Sequence, residues 1–309
     1  MIINTGQRTD IPAFYSRWFV NRLKAGFVLV RNPYDPLSVA RYRLTPDVVD
    51  LIGFCTKNPA PMLPHMALLK PFGQYWYVTI TPYGRDIEPN VPGKRAALDS
   101  FRRLSDLVGP HRVGWRYDPI FISAEWPVER HIRAFEYMAG ALEGYTRTAV
   151  ISFIDLYDKT RRNFPGVGPV SREDRLALGR AIVDIGRDRG MTVRPCAEGD
   201  ELARFGADCG GCMTVGMYES ALQMKLRPPK TPSARKGCAC YLGGDIGAYN
   251  TCGHLCRYCY ANYDAKTVRA NMLRHDPDSP LLIGHPRPED RVYDARQESW
   301  IDPQIAMEL

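Results

Sequence analysis

Three cysteines lie within eight residues near the C-terminal end of the chain, in the run Thr251-Cys-Gly-His-Leu-Cys-Arg-Tyr-Cys-Tyr-Ala-Asn262. Cys252, Cys256 and Cys259 have the spacing C-x3-C-x2-C. Three thiolates in so short a loop can hold three irons of a [4Fe–4S] cluster, and the fourth iron is then open to a substrate or cofactor. The alternative is a structural zinc site with His254 as fourth ligand, but this histidine falls between two of the cysteines, a poor spacing for closing a tetrahedron.

Four further cysteines form two short pairs, Cys209-Gly-Gly-Cys212 and Cys238-Ala-Cys240. Together they supply four ligands, which suits a second iron–sulfur cluster or a structural zinc ion. The alternative is that some of them are ordinary buried thiols, which pack as small hydrophobic side chains. We interpret Cys55 and Cys196 as core or rim thiols without a metal role, although Cys196 follows a predicted strand.

Composition limits the class of protein. The chain has 309 residues, is 45% hydrophobic and carries a net charge of +7, enough for one large core or two smaller ones. We expect a cytoplasmic protein, because no apolar run approaches a membrane span and the first residues lack the layout of a signal peptide. In a reducing compartment, nine cysteines of which seven are clustered indicate metal ligands rather than disulfides.

The first two thirds of the chain alternate between strand-like and helix-like patterns. The predicted strands are 2–4, 27–30, 49–54, 75–80, 113–115, 148–153 and 191–194, and the predicted helices are about 12–24, 62–70, 94–108, 127–143 and 171–189. This order predicts parallel strands with crossover helices. Since no GxGxxG follows the first strand, we favour a complete or partial (β/α) barrel of TIM-barrel type over a dinucleotide-binding sheet.

Two segments depart from this alternation of strands and helices. Residues 36–46 are predicted to form a short hairpin or strand extension, and residues 225–237 form a basic, proline-rich loop. We expect residues 1–200 to form the barrel core and residues 201–309 to form a cysteine-rich segment packed on it. The loop carries five cations that could bind phosphates, but a solvated loop is favoured because no nucleic-acid-binding module is evident: Lys225, Arg227, Lys230, Arg235 and Lys236.

Polar residues follow several of the predicted strands. In barrels of this kind, chemistry takes place at the C-terminal ends of the strands, so polar groups from separate strands line one pocket. Individual residues there can equally be structural, because X-Pro steps end strands and Arg–Asp pairs join neighbouring strands. The candidate catalytic residues are Lys57, Arg116, Asp118, Asp155 and Glu198.

The cysteine run resembles the cluster-binding loop of the radical S-adenosylmethionine (SAM) superfamily, in which an aromatic residue, here Tyr258, precedes the last cysteine. The longer run 245–262, together with Thr56-Lys-Asn-Pro59 and Trp115-Arg-Tyr-Asp-Pro119, is similar to an uncharacterised bacterial branch related to spore photoproduct lyase. The resemblance implies a cluster held by Cys252, Cys256 and Cys259 with SAM on the open iron. It also implies SAM cleavage to a radical that abstracts hydrogen from substrate.

The chain departs from the superfamily in two respects. The cysteine loop follows some six predicted strands rather than the first one, so we expect residues 241–250 to supply a strand beside the N-terminal strand. The superfamily's Gly-Gly-Glu motif, which binds the SAM amino group, is not evident, and Gly243-Gly244-Asp245 precedes the cysteines and does not replace it.

These observations favour a radical SAM enzyme acting on a small or anionic substrate, with a reductant such as flavodoxin or ferredoxin. One alternative is a nucleic-acid repair or modification enzyme of the spore-photoproduct-lyase type, which is not favoured. Another is a zinc-stabilised binding protein without catalysis.

Overall fold

The structure is a computed structural model that describes residues 1–229, 238 and 240–301. The predicted cations at positions 230, 235 and 236 lie outside the described residues. The strands are β1 (Ile2–Asn4), β2 (Phe27–Arg31), β3 (Ser38–Arg43), β4 (Leu51–Thr56), β5 (Gly73–Thr79), β6 (Val113–Ile120), β7 (Thr148–Phe153), β8 (Thr192–Pro195), β9 (Gly244–Asp245) and β10 (Arg291–Asp294).

Helices follow most of the strands. The α-helices are α1 (Ile11–Phe14), α2 (Ser16–Ala25), α3 (Lys94–Val108), α4 (Val128–Leu142), α5 (Asp158–Asn163), α6 (Arg172–Asp188), α7 (Val215–Leu222) and α8 (Ala265–Leu273). Short 3-10 helices span Leu63–Leu69, Pro110–Arg112 and Ala203–Phe205. The predicted cap of α6 is present, because Ser171 Oγ accepts a hydrogen bond from Asp174 N at 3.0 Å and so satisfies a free amide of the first turn.

Seven strands form one parallel sheet in the order β8-β7-β6-β5-β4-β1-β9. The expected late strand is β9, which pairs with β1 through Ile3 opposite Gly244 and Asn4 opposite Asp245. Glycine is needed just before it, since a Cβ on Gly243 would lie 1.8 Å from the carbonyl oxygen of Ile2. The sheet with its flanking helices is consistent with a partial (β/α) barrel. Among the described residues β8 and β9 are outer strands, so a closed barrel is not shown.

The two faces of the sheet pack differently because alternate side chains point to opposite faces. One face, carrying residues such as Ile52, Trp76 and Trp115, is buried against the long crossover helices. The other, which we call the inner face, carries Tyr75 and Tyr77 and is buried against α7 and its neighbours. Helix α7 therefore covers the inner face below the C-terminal ends of the strands.

A second sheet, with the order β10-β3-β2, lies apart from the first. The predicted strand at 27–30 belongs to this sheet rather than to the barrel sheet. The reason is its short connection to β3, which allows an antiparallel hairpin but not a parallel crossover. The segment 36–46, predicted to form a short hairpin or a strand extension, contains only the single strand β3, which forms a hairpin with β2.

Other elements lie near their predicted positions, although 62–70 forms a 3-10 helix rather than an α-helix. Within the described part of the chain, no helix combines the length and the apolar character needed to cross a membrane.

Candidate metal and substrate site

The cysteine loop follows β9 at the C-terminal edge of the sheet and is tied to its surroundings by backbone contacts. Tyr15 Oη donates to Thr251 O at 2.6 Å, and Asn262 Nδ2 donates to Cys252 O at 2.8 Å. Arg257 N donates to Ile87 O at 3.0 Å. Two of these contacts hold the loop against Tyr15, which directly precedes α2, and against the segment after β5. The contact between Asn262 and Cys252 joins the two ends of the loop to each other.

The three thiols of this loop are buried or half-buried. Burial raises the pKa of Cys256 to about 12 and also raises the pKa of Cys252 and Cys259. The charge that would form on each thiolate is unfavourable near the other two, so a cation is the natural partner for the set.

His254 does not serve as the fourth ligand that a zinc site would need. Its Nε2 lies 2.9 Å from Asp10 Oδ2, and its Nδ1 lies 3.2 Å from Asn90 O. Both ring nitrogens are therefore occupied, and the side chain positions the loop instead of pointing at the thiols.

Asp10 connects three parts of the site and was not predicted as a site residue. Besides His254, its carboxylate accepts hydrogen bonds from Lys57 N at 2.8 Å and from Ala13 N at 3.1 Å. It thus caps α1 while holding the end of β4 and the cysteine loop together. The sequence signal was an aspartate immediately before Ile-Pro, which is typical of a helix N-terminus.

Glu88 is a second unpredicted residue at the centre of the site. It is 1% exposed, and its carboxylate binds Lys57 Nζ at 2.8 Å and Lys94 Nζ at 3.0 Å. It also accepts hydrogen bonds from the hydroxyls of Thr81 and Tyr258. Burial alone would raise the pKa of Glu88, but the two ammonium groups outweigh it and lower the pKa to about 2.

Lys57 and Tyr258, both predicted from sequence, therefore meet at Glu88. The Lys57 ammonium also lies 5.6 Å from the centre of the Tyr258 ring. Burial lowers the pKa of Lys57, but the Glu88 carboxylate offsets it and the net pKa is raised. Lys57 is thus a buried cation beside the cysteine loop.

Arg116 and Asp118 lie on β6 and point to the inner face. Arg116 Nε donates to Asp118 Oδ2 at 3.0 Å, and Ser152 Oγ donates to Asp118 Oδ1. The guanidinium lies 5.4 Å from the centre of the Tyr77 ring. The pair therefore joins β6 to β7 and places a charged group on the inner face.

Glu198 and Asp155 lie farther along the edge. Glu198 Oε1 accepts a hydrogen bond from Phe153 N at 2.8 Å, and burial raises its pKa to about 6. Asp155 is exposed, and Tyr157 Oη donates to it at 3.4 Å. The structure therefore brings Glu198 to the edge of the inner face and leaves Asp155 on the surface.

The second group of cysteines differs from the set predicted by spacing. Cys212 Sγ lies 3.3 Å from Cys240 Sγ and 3.4 Å from Cys196 Sγ, although Cys196 was given no metal role. Cys209 instead directs its thiol to Ala207 O at 3.9 Å. Across residues 1–229, 238 and 240–301, no three His, Cys, Asp or Glu side chains are already arranged to hold a metal ion.

Several buried polar atoms near β1 and the cysteine loop have no hydrogen-bond partner among the described residues. They include both side-chain polar atoms of Asn4, the Thr9 hydroxyl and Asn262 Oδ1. Asn4 is 1% exposed and Thr9 is 6% exposed. Buried polar groups are costly unless they are hydrogen-bonded, so these atoms fit contacts with a polar ligand.

No curated protein matches the chain. The model of the family described as a domain of unknown function (DUF1848) matches residues 2–261, which include the whole barrel sheet and the cysteine loop. The chain therefore belongs to the DUF1848 family.

Proposed function

We propose that this protein is a radical SAM enzyme whose [4Fe–4S] cluster is held by Cys252, Cys256 and Cys259. The observation that carries the proposal is a short loop with three buried or half-buried thiols, which His254 does not join as a fourth ligand because both its ring nitrogens have other contacts. Buried polar atoms near the loop that have no partner among the described residues support it. When bound and reduced, such a cluster supplies the electron that cleaves SAM and starts hydrogen abstraction.

The chain's own residues position the loop and line the space beside it. Asp10 and Glu88 hold the loop through His254 and Tyr258, respectively. Asn4, Thr9 and Asn262 offer hydrogen bonds to a bound SAM molecule. Arg116 offers a positive charge to a small or anionic substrate, and Asp118 fixes its orientation. A cytoplasmic location and a flavodoxin or ferredoxin reductant belong to the same proposal.

Iron content and SAM cleavage test the proposal directly. Anaerobically purified protein should contain acid-labile sulfide and iron, and its dithionite-reduced EPR spectrum should change when SAM is added. Cys252→Ala, Cys256→Ala and Cys259→Ala should each abolish 5′-deoxyadenosine formation. Cys55→Ala, which removes a thiol elsewhere on the inner face, is the matched control and should retain it. Deoxyadenosine formation that survives in any loop variant would reject the proposal.

The spore-photoproduct-lyase alternative concerns the substrate rather than the cofactor. It rests on the resemblance and on the basic segment that begins at Lys225 and Arg227. Salt-dependent binding of single- or double-stranded DNA that weakens when Lys225, Arg227, Lys230, Arg235 and Lys236 are neutralised would support it. Equal binding by the neutralised variant would exclude that segment as the contact.

The non-catalytic zinc alternative is weakened by the contacts of His254, which occupy both ring nitrogens. A colourless protein that carries zinc at Cys252, Cys256 and Cys259 would nevertheless support the zinc alternative over the iron–sulfur cluster.

A further inference from the structure

A second group of thiols packs with the side chains of the inner face and comes from chain segments other than the cysteine loop. Cys196 follows β8, Cys212 precedes α7, and Cys240 shortly precedes β9. The thiol of Cys212 contacts those of Cys196 and Cys240 at 3.4 and 3.3 Å, and the thiol of Cys238 is hydrogen-bonded to Cys240. Four thiols from three chain segments are thus connected sulfur to sulfur.

We propose that Cys196, Cys212, Cys238 and Cys240 bind one zinc ion, and that Cys209 does not take part. Thiolates around a tetrahedral zinc with bonds of about 2.3 Å lie about 3.8 Å apart. The observed separations are a few tenths of an ångström shorter, as expected for thiols that still hydrogen-bond to one another. Loss of their protons and a small outward rotation produce the zinc geometry.

The sulfur separations also distinguish between the two metals that the sequence left open. A [4Fe–4S] cluster is several atoms across, so its cysteine sulfurs lie much farther apart than those around one ion. Sulfurs in direct contact therefore favour a single ion with four sulfur ligands.

Neighbouring groups hydrogen-bond to these thiols and orient them, as the groups around metal ligands do. Met213 N donates a hydrogen bond to Cys240 Sγ at 3.3 Å, which stabilises negative charge on that sulfur. Tyr241 N donates to Met213 O at 2.9 Å and holds the two segments together. Ala197, directly after Cys196, has a φ of 59°, a conformation that is unusual for alanine and turns the chain at the ligand.

Cys209 provides a matched comparison. It lines the same cavity of about 210 Å³ as the other four cysteines, but its thiol points to Ala207 O. Sequence spacing alone predicts that Cys209 is a metal ligand and Cys196 is not. The contacts of Cys212 indicate instead that Cys196 is a ligand. The two ligand sets therefore make opposite predictions for these two residues.

The position of the site gives it a structural role. Cys196 follows β8 and Cys240 precedes β9, and these are the two outer strands of the sheet. One zinc ion would therefore join segments next to both outer strands, where no strand pairing is present among the described residues. The role is separate from the chemistry proposed for the cysteine loop.

Zinc content in the Cys252→Ala/Cys256→Ala/Cys259→Ala protein tests the inference without interference from the first site. After incubation with zinc and removal of loosely held metal by a chelator, this protein should keep one zinc per chain. Adding Cys196→Ser should reduce that content to near zero, whereas adding Cys209→Ser should leave it unchanged.

A second measurement does not depend on whether the variants fold: X-ray absorption at the zinc edge of the unmutated, zinc-loaded protein. It should show four sulfur neighbours at about 2.3 Å. Zinc kept by Cys196→Ser but lost by Cys209→Ser would overturn the ligand set. Iron with sulfide in place of zinc, or no retained metal, would overturn the inference itself. None of these results depends on SAM cleavage, so the two proposals can fail separately.

Discussion

Glu88 shows how one side chain can organise a site without belonging to its sequence motif. Its buried carboxylate binds two ammonium groups and two hydroxyls, one of which is the hydroxyl of Tyr258 in the cysteine loop. Burying this carboxylate costs desolvation energy, which is offset only by its ion pairs and hydrogen bonds. Removing its charge therefore leaves Lys57 as an unpaired buried cation.

Glu88→Gln is expected to destabilise the protein by about 3 kcal/mol, since breaking a buried ion pair costs more than losing an exposed one. The amount of the iron that we propose for the loop should fall as well, because Tyr258 loses its charged acceptor. Denaturant unfolding and iron analysis measure the two effects. Glu125→Gln, which alters an exposed pair with Arg130, is the control and should change neither; equal behaviour of the two variants would contradict this role.

Sequence reasoning found the residues with a motif and missed those defined by contacts. The three cysteines and Lys57 were identifiable because their spacing or position after a strand carries information. Asp10 and Glu88 act through partners far away in the chain, and Cys196 stands alone without a second cysteine nearby. The local pattern at Asp10 indicates only a helix N-terminus, and no local pattern distinguishes Glu88 from a surface carboxylate or Cys196 from a core thiol.

At the scale of elements, α4 is fixed to the sheet by a buried histidine. His131 is fully buried, with Nδ1 2.8 Å from Tyr117 Oη and Nε2 2.9 Å from Phe121 O. Burial lowers the pKa of His131 to about 4, although the Phe121 carbonyl opposes the shift. Between this value and the ordinary one near 6.5, the unfolded chain binds a proton that the native state excludes, so native stability rises with pH.

The unmutated protein should therefore lose part of its advantage in unfolding free energy over His131→Gln as the pH falls. Between pH 7.5 and pH 5 the difference in unfolding free energy should narrow by about 2 kcal/mol. Chemical denaturation of both proteins at the two pH values measures it. A difference that stays constant, or grows at pH 5, would mean that the imidazole is protonated in the native state.

The elements that the sequence predicted best are the long, strongly patterned ones, such as α3, α4 and β7. The short ones were harder. Strand β10 is exposed along its whole length, so it shows no apolar alternation. Helix α7 has only eight residues, too few to establish a helical period, yet it fills the inner face.

At the scale of the whole molecule, both groups of cysteines lie next to outer strands of one sheet. The cysteine loop follows β9, whereas the second group joins Cys196 after β8 to Cys240 before β9. The order of these strands could not be predicted, because β9 has only two residues and its partner lies at the other end of the chain. Only the general expectation of a late strand beside β1 was available from the motif's unusual position.

Gly243→Ala tests whether the pairing of β1 with β9 positions the cysteine loop. Its methyl group would collide with Ile2 O and displace β9 from β1. The denaturation midpoint should therefore fall, and so should the amount of the iron that we propose for the cysteine loop. Gly216→Ala is the control, because its Cβ meets nothing within 4 Å; its stability should change by less than about 1 kcal/mol. Full iron loading in Gly243→Ala would show that the β1–β9 pairing does not position the loop.

The pairing of β1 with β9 also has a consequence for biosynthesis. A ribosome makes β1 before the other strands of the large sheet, whereas its neighbour β9 and the cysteine loop are made after all of them. Until then β1 can pair with β4 alone, and Asp10 lacks His254. The proposed cluster could therefore be delivered to this loop only after the other strands of the sheet have been made.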